Sequence, residues 1–172
     1  MVLTTNQKGA IAETAVALHA LRHGISVLRP LAEGGRYDLV FDLHGRFLRV
    51  QCKWATRVGE VVLIRARTCR RGPEGRFLRG KYSAAEIDLV AGYCAELDRC
   101  YAIPFDDLPP GGDKQLRLSP AKNNQKLGLN WAGDYELGAI AQLGERVTGS
   151  HEVVGSSPTS STTKPPSRAA LF

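Results

Sequence analysis

The sequence predicts an α/β fold in which a mixed central β-sheet is flanked by helices. Three observations carry that expectation. Residues 5–22 set small and apolar side chains at helical spacing and end just before Gly24. Residues 37–52 alternate apolar and polar side chains on either side of His44-Gly45, and further apolar runs of strand length follow, separated by turn residues.

A chain of 172 residues is one domain with room for a proper core, and a net charge of +6 favours an anionic partner. No apolar run approaches a membrane span, and the N-terminus lacks the basic-then-apolar pattern of a signal peptide, so a soluble cytoplasmic protein with no membrane partner is expected. Cys52, Cys69, Cys94 and Cys100 show no C-x-x-C pair and no His at zinc spacing. They are expected to be free thiols in a reducing compartment, with Cys94 and Cys100 as the one pair that a hairpin could set face to face.

The first helix starts at Thr5-Asn6, with Asn6 or a neighbouring Thr as its cap, and stops at Gly24. Inside it Glu13 has Gly9, Ala10, Val16, Ala17 and Ala20 around it at helical spacing. A carboxylate in that neighbourhood wants a partner, although an exposed Glu beside small surface residues meets the pattern at least as well. Residues 26–29 form a short strand closed by Pro30, and residues 32–35 form a loop into the hairpin.

In the hairpin Tyr37, Leu39, Phe41 and Leu43 alternate on the first arm and Leu48, Val50 and Cys52 on the second. With His44-Gly45 as the loop, Leu43 pairs with Arg46, Asp38 lies across from Gln51, and Lys53 follows two residues along the same face. A slip of one residue would send Asp38 to the other face, so the arrangement depends on loop parity. A carboxylate, an amide and an ammonium on one pleated face suit attack on a phosphodiester. Asp38 would hold a hard cation, the Gln51 amide oxygen or the carbonyl of its neighbour would add a ligand, and Lys53 would orient water and neutralise charge on the phosphate. A solvated strand face with ordinary polar residues fits the same spacing.

After Lys53 the chain passes residues 56–59 and forms a strand over 61–65. Residues 65–81 then carry Arg65, Arg67, Arg70, Arg71, Arg76, Arg79 and Lys81 against the single acid Glu74. With Pro73 and its glycines this segment reads as a mobile arm or a β-ribbon that tracks phosphates, or else as a solvated basic loop. The predominance of arginine favours phosphate or guanine contacts. Two strands follow, over 86–94 and 100–104, joined by a turn at 96–99. Asp88 at the entrance of the first is either a supporting acid near the site or a structural residue. A loop over 106–112, a short strand over 115–118 and a helix opened by Ser119-Pro120 come next. That helix carries Lys122, Asn123, Asn124, Gln125 and Lys126, able to touch DNA or simply to face water. Trp131 and Tyr135 are expected to close the fold.

Glu13, Asp38 and Gln51-x-Lys53, together with the phrases Arg36-Tyr37-Asp38-Leu39-Val40, Leu48-Arg49-Val50-Gln51-Cys52-Lys53 and Lys122-Asn123-Asn124-Gln125-Lys126, resemble the PD-(D/E)xK nuclease superfamily. The resemblance runs from about residue 6 to residue 136. It lies in particular with the branch that contains the homing endonuclease of a cyanobacterial group I intron, which uses Gln in place of the usual second acid. The proline of the family name is Tyr37 here, at a position that carries no chemistry. The resemblance implies a restriction-endonuclease-like core over residues 1–137. It implies a site-specific, homing-type endodeoxyribonuclease acting on double-stranded DNA with Mg²⁺, or Mn²⁺ as a substitute. Glu13, Asp38 and Gln51 would hold the metal and Lys53 would position water. Because one small site cuts one strand at a time, a homodimer or homotetramer is expected. A Holliday-junction resolvase shares this site chemistry, and a DNA-binding module that has lost cleavage is the alternative from another class.

Residues 138–172 are different material, rich in Ser, Thr, Gly and Pro, and disorder is expected there. Their opening, Gly138-Ala139-Ile140-Ala141-Gln142-Leu143-Gly144-Glu145-Arg146, resembles the translation of a bacterial tRNA gene. Synonymous codons for residues 138–162 can be chosen so that GGAGCTA pairs with TAGCTCC, GCTC with GAGC, CGTGA with TCACG and GTGGG with CCCAC, a full cloverleaf. The expectation is a reading frame that runs through a tRNA gene, and a tail never shaped as protein.

Overall fold

The computed structural model describes residues 2–32, 34–71, 76–120 and 128–140, with the backbone alone at 69–71 and 77–79. Helix α1 (Thr5–Arg22) opens on a capping box. The Thr4 hydroxyl accepts the Gln7 N–H at 3.2 Å, and the Gln7 amide accepts the Thr4 N–H at 2.9 Å. Its end follows at Gly24, whose φ of 76° a side chain would resist. Ala12, Val16 and Ala20, spaced by four, form its fully buried stripe.

The strands are β1 (Ser26–Leu28), β2 (Leu39–Leu43), β3 (Arg46–Val58), β4 (Val61–Arg65), β5 (Thr68–Arg71), β6 (Phe77–Gly80), β7 (Leu89–Cys94), β8 (Arg99–Pro104) and β9 (Asp113–Arg117). Seven of them form one mixed sheet, while β5 and β6 pair with each other as a separate antiparallel ribbon. The hairpin has the parity the alternation requires: Leu43 pairs with Arg46 and Leu39 with Val50. His44 and Gly45 both take positive φ, 54° and 92°, as a two-residue hairpin of matching twist demands, and Asp42 accepts the Gly45 N–H at 2.7 Å.

β3 is much longer than the alternation suggested, and its continuation positions the site. On one edge it pairs with β2 up to Val50; from Ala55 onward that same edge belongs to β4. β7 runs parallel along the opposite edge from Val50 to Ala55. Among the described residues, none pairs as a strand with residues 51–54 on the edge that β2 and β4 share. Residues 56–59, expected as a passing segment, are mostly strand because β4 folds back onto them.

Both sheet faces are covered. On one, Val16 and Ala20 of α1 pack with Phe41, Val50, Cys52, Ala91, Cys100 and Leu137. On the other, Ile64, Val90, Cys94, Tyr101, Ile103 and Leu116 form a second cluster. A Cβ on Gly92 would sit 2.7 Å from Ile64 Cδ1, so only glycine lets Ile64 lie across β7 beside Lys53. Cys94 and Cys100 belong to opposite faces, because Cys100 pairs with Tyr93, and they form no disulfide; Cys52, Cys94 and Cys100 are free.

Smaller boundaries move as well: β1 stops at Leu28, β7 begins at Leu89 rather than at residue 86, β9 runs from Asp113 to Arg117 with Lys114 paired to Ile64, and residues 105–107 form a turn of 3₁₀ helix in the expected loop. Tyr135 does close the fold, its hydroxyl bonded to Asp107 and to Lys114 at 3.0 Å each. The helix expected after Ser119-Pro120 lies outside the described residues, as do residues 141–172. Residues 138–140, placed in the tail by composition, are helical, and Ile140 packs against the α1 cluster. Gly138 lies so close to the His23 ring that a Cβ would come within 2.8 Å of it. No helix among the described residues is long and apolar enough to cross a membrane.

Candidate active site

Asp38 stands one residue before β2, at the start of the open edge of β3. Its N–H donates to the Val50 carbonyl at 2.9 Å, which continues the ladder for one more step. Beyond that step the side chain takes over: Asp38 Oδ2 accepts the Cys52 N–H at 2.7 Å and a hydrogen bond from Gln51 Nε2. Gln51 is 8% exposed, and its Nε2 also donates to the Cys52 carbonyl at 3.3 Å. The backbone N–H and C=O of Cys52 thus both face the open edge, with a carboxylate and an amide gathered over them.

Lys53 lies two residues beyond Gln51, with its Nζ over the ring of Tyr82 at 5.3 Å from the centroid. Burial pushes the Asp38 carboxyl above the ordinary aspartate value of 3.8, against the Cys52 N–H, the Lys53 and Arg29 charges and the Gln51 amide. Glu13 on α1 forms a 2.7 Å ion pair with Arg29, which follows β1. Burial, then the charges of Asp38 and Glu13, drive the Cys52 thiol well up, so both carboxylates lie within electrostatic reach of the same β3 residue. Glu13, Asp38, Gln51 and Lys53 lie in one neighbourhood, with Glu13 paired to Arg29.

Among the described residues no three of His, Cys, Asp and Glu converge as a metal site. The donors here are of another kind. Asp38 Oδ2 and the Cys52 carbonyl both accept from Gln51 Nε2, so two oxygens already converge on one electropositive group. A half-turn of the amide would present Oε1 beside them. An all-oxygen set with a carboxylate fits a hard divalent cation and would not suit a soft one.

Three residues with roles around this edge carry no signal in the sequence. Arg49 donates to both oxygens of Asp88, at 2.9 and 2.8 Å, and to the carbonyls of Ala84, at 2.9 Å, and Ala85, while its own N–H donates to Asp88 at 2.7 Å. Asp88 is thus a structural clamp holding the entry of β7 to β3, not an acid turned toward the site. Arg36 pairs with Glu86 at 2.7 Å. Arg29 could have been found only by knowing that β1 runs beside α1.

The basic segment forms the ribbon that the sequence left as one alternative. Arg70, Arg71 and Arg79 lie on its strands, while Arg65, Arg76 and Lys81 are exposed. Arg67 is held by Asp113 through two bonds of 3.0 and 2.8 Å at the ribbon's base. Lys122, Asn123 and Asn124 lie outside the described residues.

Comparison with known proteins adds two findings. The family model described as PD-(D/E)XK endonuclease matches residues 3–138. Among solved structures, the chain is similar to the bacterial homing endonuclease I-Ssp6803I, with a TM-score of 0.67 and 26% sequence identity over 88% of this chain and 100% of that one. A comparison with curated proteins gives no match.

Proposed function

The chain belongs to the PD-(D/E)XK endonuclease family, and from that premise we propose that it is a Mg²⁺-dependent endodeoxyribonuclease that hydrolyses phosphodiester bonds of double-stranded DNA in the cytoplasm, at a specific site. The observation that carries this reading is the open edge of β3, where the Asp38 carboxylate and the Cys52 carbonyl converge on the Gln51 amide group, two residues from Lys53. Asp38, Gln51 and the Cys52 carbonyl would hold the cation, with Mn²⁺ as a substitute. Glu13 would join them on release from Arg29, whose guanidinium would then be available to a phosphate. When bound, the cation supplies Lewis acidity and charge neutralisation at the phosphodiester. Lys53 orients the attacking water and offsets charge growing on the phosphate, as a point charge at the same edge.

The ribbon arginines and Lys81 would grip phosphates, with Lys122, Asn123 and Asn124 as further contacts. Two copies of the chain, or four, would be needed to cut both strands. The site-specific, homing-type reading is supported by the likeness to a homing endonuclease and by residues 138–162, for which synonymous codons can be chosen that pair as a tRNA cloverleaf.

The test is incubation of supercoiled plasmid carrying the source tRNA locus with Mg²⁺ or with EDTA, beside a Lys53→Ala protein and a plasmid lacking the locus. Discrete metal-dependent cuts confined to the locus plasmid are expected, with Lys53→Ala slower by at least about a hundredfold. Cleavage of a four-way junction but of neither plasmid would assign a resolvase. Binding to all these DNAs without cutting would assign a binding module.

A further inference from the structure

Tyr82 belongs to none of the expected machinery, yet it lies where the ribbon returns to the active site. β6 ends at Gly80, and Lys81 leads directly to Tyr82, whose half-buried ring packs against the second core cluster. The next residues are fixed from three sides. The Ser83 N–H donates to Glu86 at 3.0 Å, Glu86 pairs with Arg36 at 2.7 Å, and Arg49 takes the carbonyls of Ala84 and Ala85. A ring on such a mount is held still. Lys53 Nζ lies over it at 5.3 Å from the centroid. Burial, and then the Asp38 carboxylate, push the Tyr82 phenol up, which places the phenol in reach of the same carboxylate that opens the site.

A lysine has a flexible four-carbon stem, and its ammonium is a strongly hydrated point charge. A fixed aromatic face limits where such an ammonium points without removing its charge and without using its hydrogen bonds. We propose that Tyr82 is a positioning residue for Lys53: its ring holds the ammonium at the open edge of β3, at the point where the DNA-facing ribbon joins the catalytic strand. This rests on the nuclease reading of the site, and the ring rather than the hydroxyl carries the role.

The test compares Tyr82→Phe, Tyr82→Met and Tyr82→Leu in the full chain, alone and combined with Lys53→Ala. Tyr82→Phe is expected to cut within about threefold of the parent, and Tyr82→Met and Tyr82→Leu about tenfold more slowly at saturating DNA, with DNA affinity unchanged. In the Lys53→Ala background the Tyr82 changes should have no further effect. A ring-current shift of the Lys53 ε-methylene protons should be present in the parent and in Tyr82→Phe and absent in Tyr82→Met; this readout needs no catalysis, and the parent and Tyr82→Phe decide it even where Tyr82→Met fails to fold. Equal loss in Tyr82→Phe and Tyr82→Met would overturn the proposal in favour of the hydroxyl. Unshifted ε-protons in the parent, or additive effects with Lys53→Ala, would overturn it outright. If Lys53→Ala itself cuts at the parental rate, the failure belongs to the nuclease reading of Lys53 instead.

Discussion

The Asp38 carboxylate accepts the backbone N–H of Cys52 at 2.7 Å, at the stretch of β3 that neither β2 nor β4 covers. A side chain has taken the place of a strand. This satisfies a backbone donor that would otherwise be left at a half-buried edge, and it fixes one carboxylate oxygen while the sheet opens around it.

The arrangement has a stability consequence that depends on pH. Burial holds the folded Asp38 carboxyl above 3.8, so the folded state binds this proton more tightly than the unfolded chain does. Its contribution is fully present below the unfolded value and is lost as pH rises through the folded one. At neutral pH the ionised carboxylate therefore costs stability in metal-free protein. Asp38→Asn keeps an oxygen for the Cys52 N–H and removes the charge. Melting in EDTA should rise by about 2–4 °C at neutral pH and converge with the parent in acid, while cleavage falls by at least about a hundredfold. A lower neutral melting temperature for Asp38→Asn would show that the charge is not the cost.

Gln51→Glu probes the same pocket from its neighbour. The amide now donates to Asp38, whereas a glutamate would set a second carboxylate against it. The metal-free variant should melt below the parent, and Mg²⁺ should raise its melting temperature more than it raises the parent's, because binding relieves a repulsion as well as making contacts. Equal shifts with Mg²⁺ would place the cation away from residue 51.

The Arg49–Asp88 clamp behaves with the opposite sign. The hydrogen bond from Arg49 holds the Asp88 carboxyl below its ordinary range, so its contribution is present above 3.8 and is lost as pH falls through the folded value. Asp88→Ala should cost about 1–2 kcal/mol at neutral pH, with the deficit shrinking in acid. Denaturant unfolding of parent and variant across that range measures it. A deficit that does not depend on pH would assign the loss to packing.

What the sequence revealed and what it concealed divide along the range of the interactions. The hairpin register was legible because Leu39, Phe41, Leu48 and Val50 must share a buried face, and His44-Gly45 can take the positive φ values of a tight loop. The opposition of Asp38 and Gln51 follows from that parity. The full length of β3 was not legible, because Thr56, Arg57 and Val58 look like surface until β4 returns to pair with their backbone, and Arg57 and Val58 stay exposed even then. Arg49 finds Asp88 39 residues away and Arg29 finds Glu13 16 residues away, partnerships that no local pattern encodes. Tyr82 reaches Lys53 only because the ribbon closes on itself. At residues 138–140 composition pointed to tail, yet Ile140 meets the core, since a single apolar residue next to buried Leu137 is enough to extend packing.

The ribbon makes the last prediction, through salt. β5 and β6 pair so that Cys69 meets Arg79, Arg70 meets Leu78 and Arg71 meets Phe77, with exposed Arg76 next to the second strand. Arg67 differs, because Asp113 holds its guanidinium at the base. Contacts to phosphates release counterions, so each one lost should lower the slope of log affinity against log salt by about 0.9. Replacing Arg70, Arg71 and Arg76 by Gln should weaken binding evenly across DNA sequences and reduce the slope by about 2–3 units. Arg67→Gln should leave the slope nearly unchanged and instead cost about 0.5 kcal/mol of stability, as expected for a partly exposed ion pair. Fluorescence anisotropy with labelled duplex across a salt series separates the two. A slope untouched by the triple replacement would remove the ribbon from the DNA interface, and a slope that falls with Arg67→Gln would mean that DNA displaces Asp113 from it.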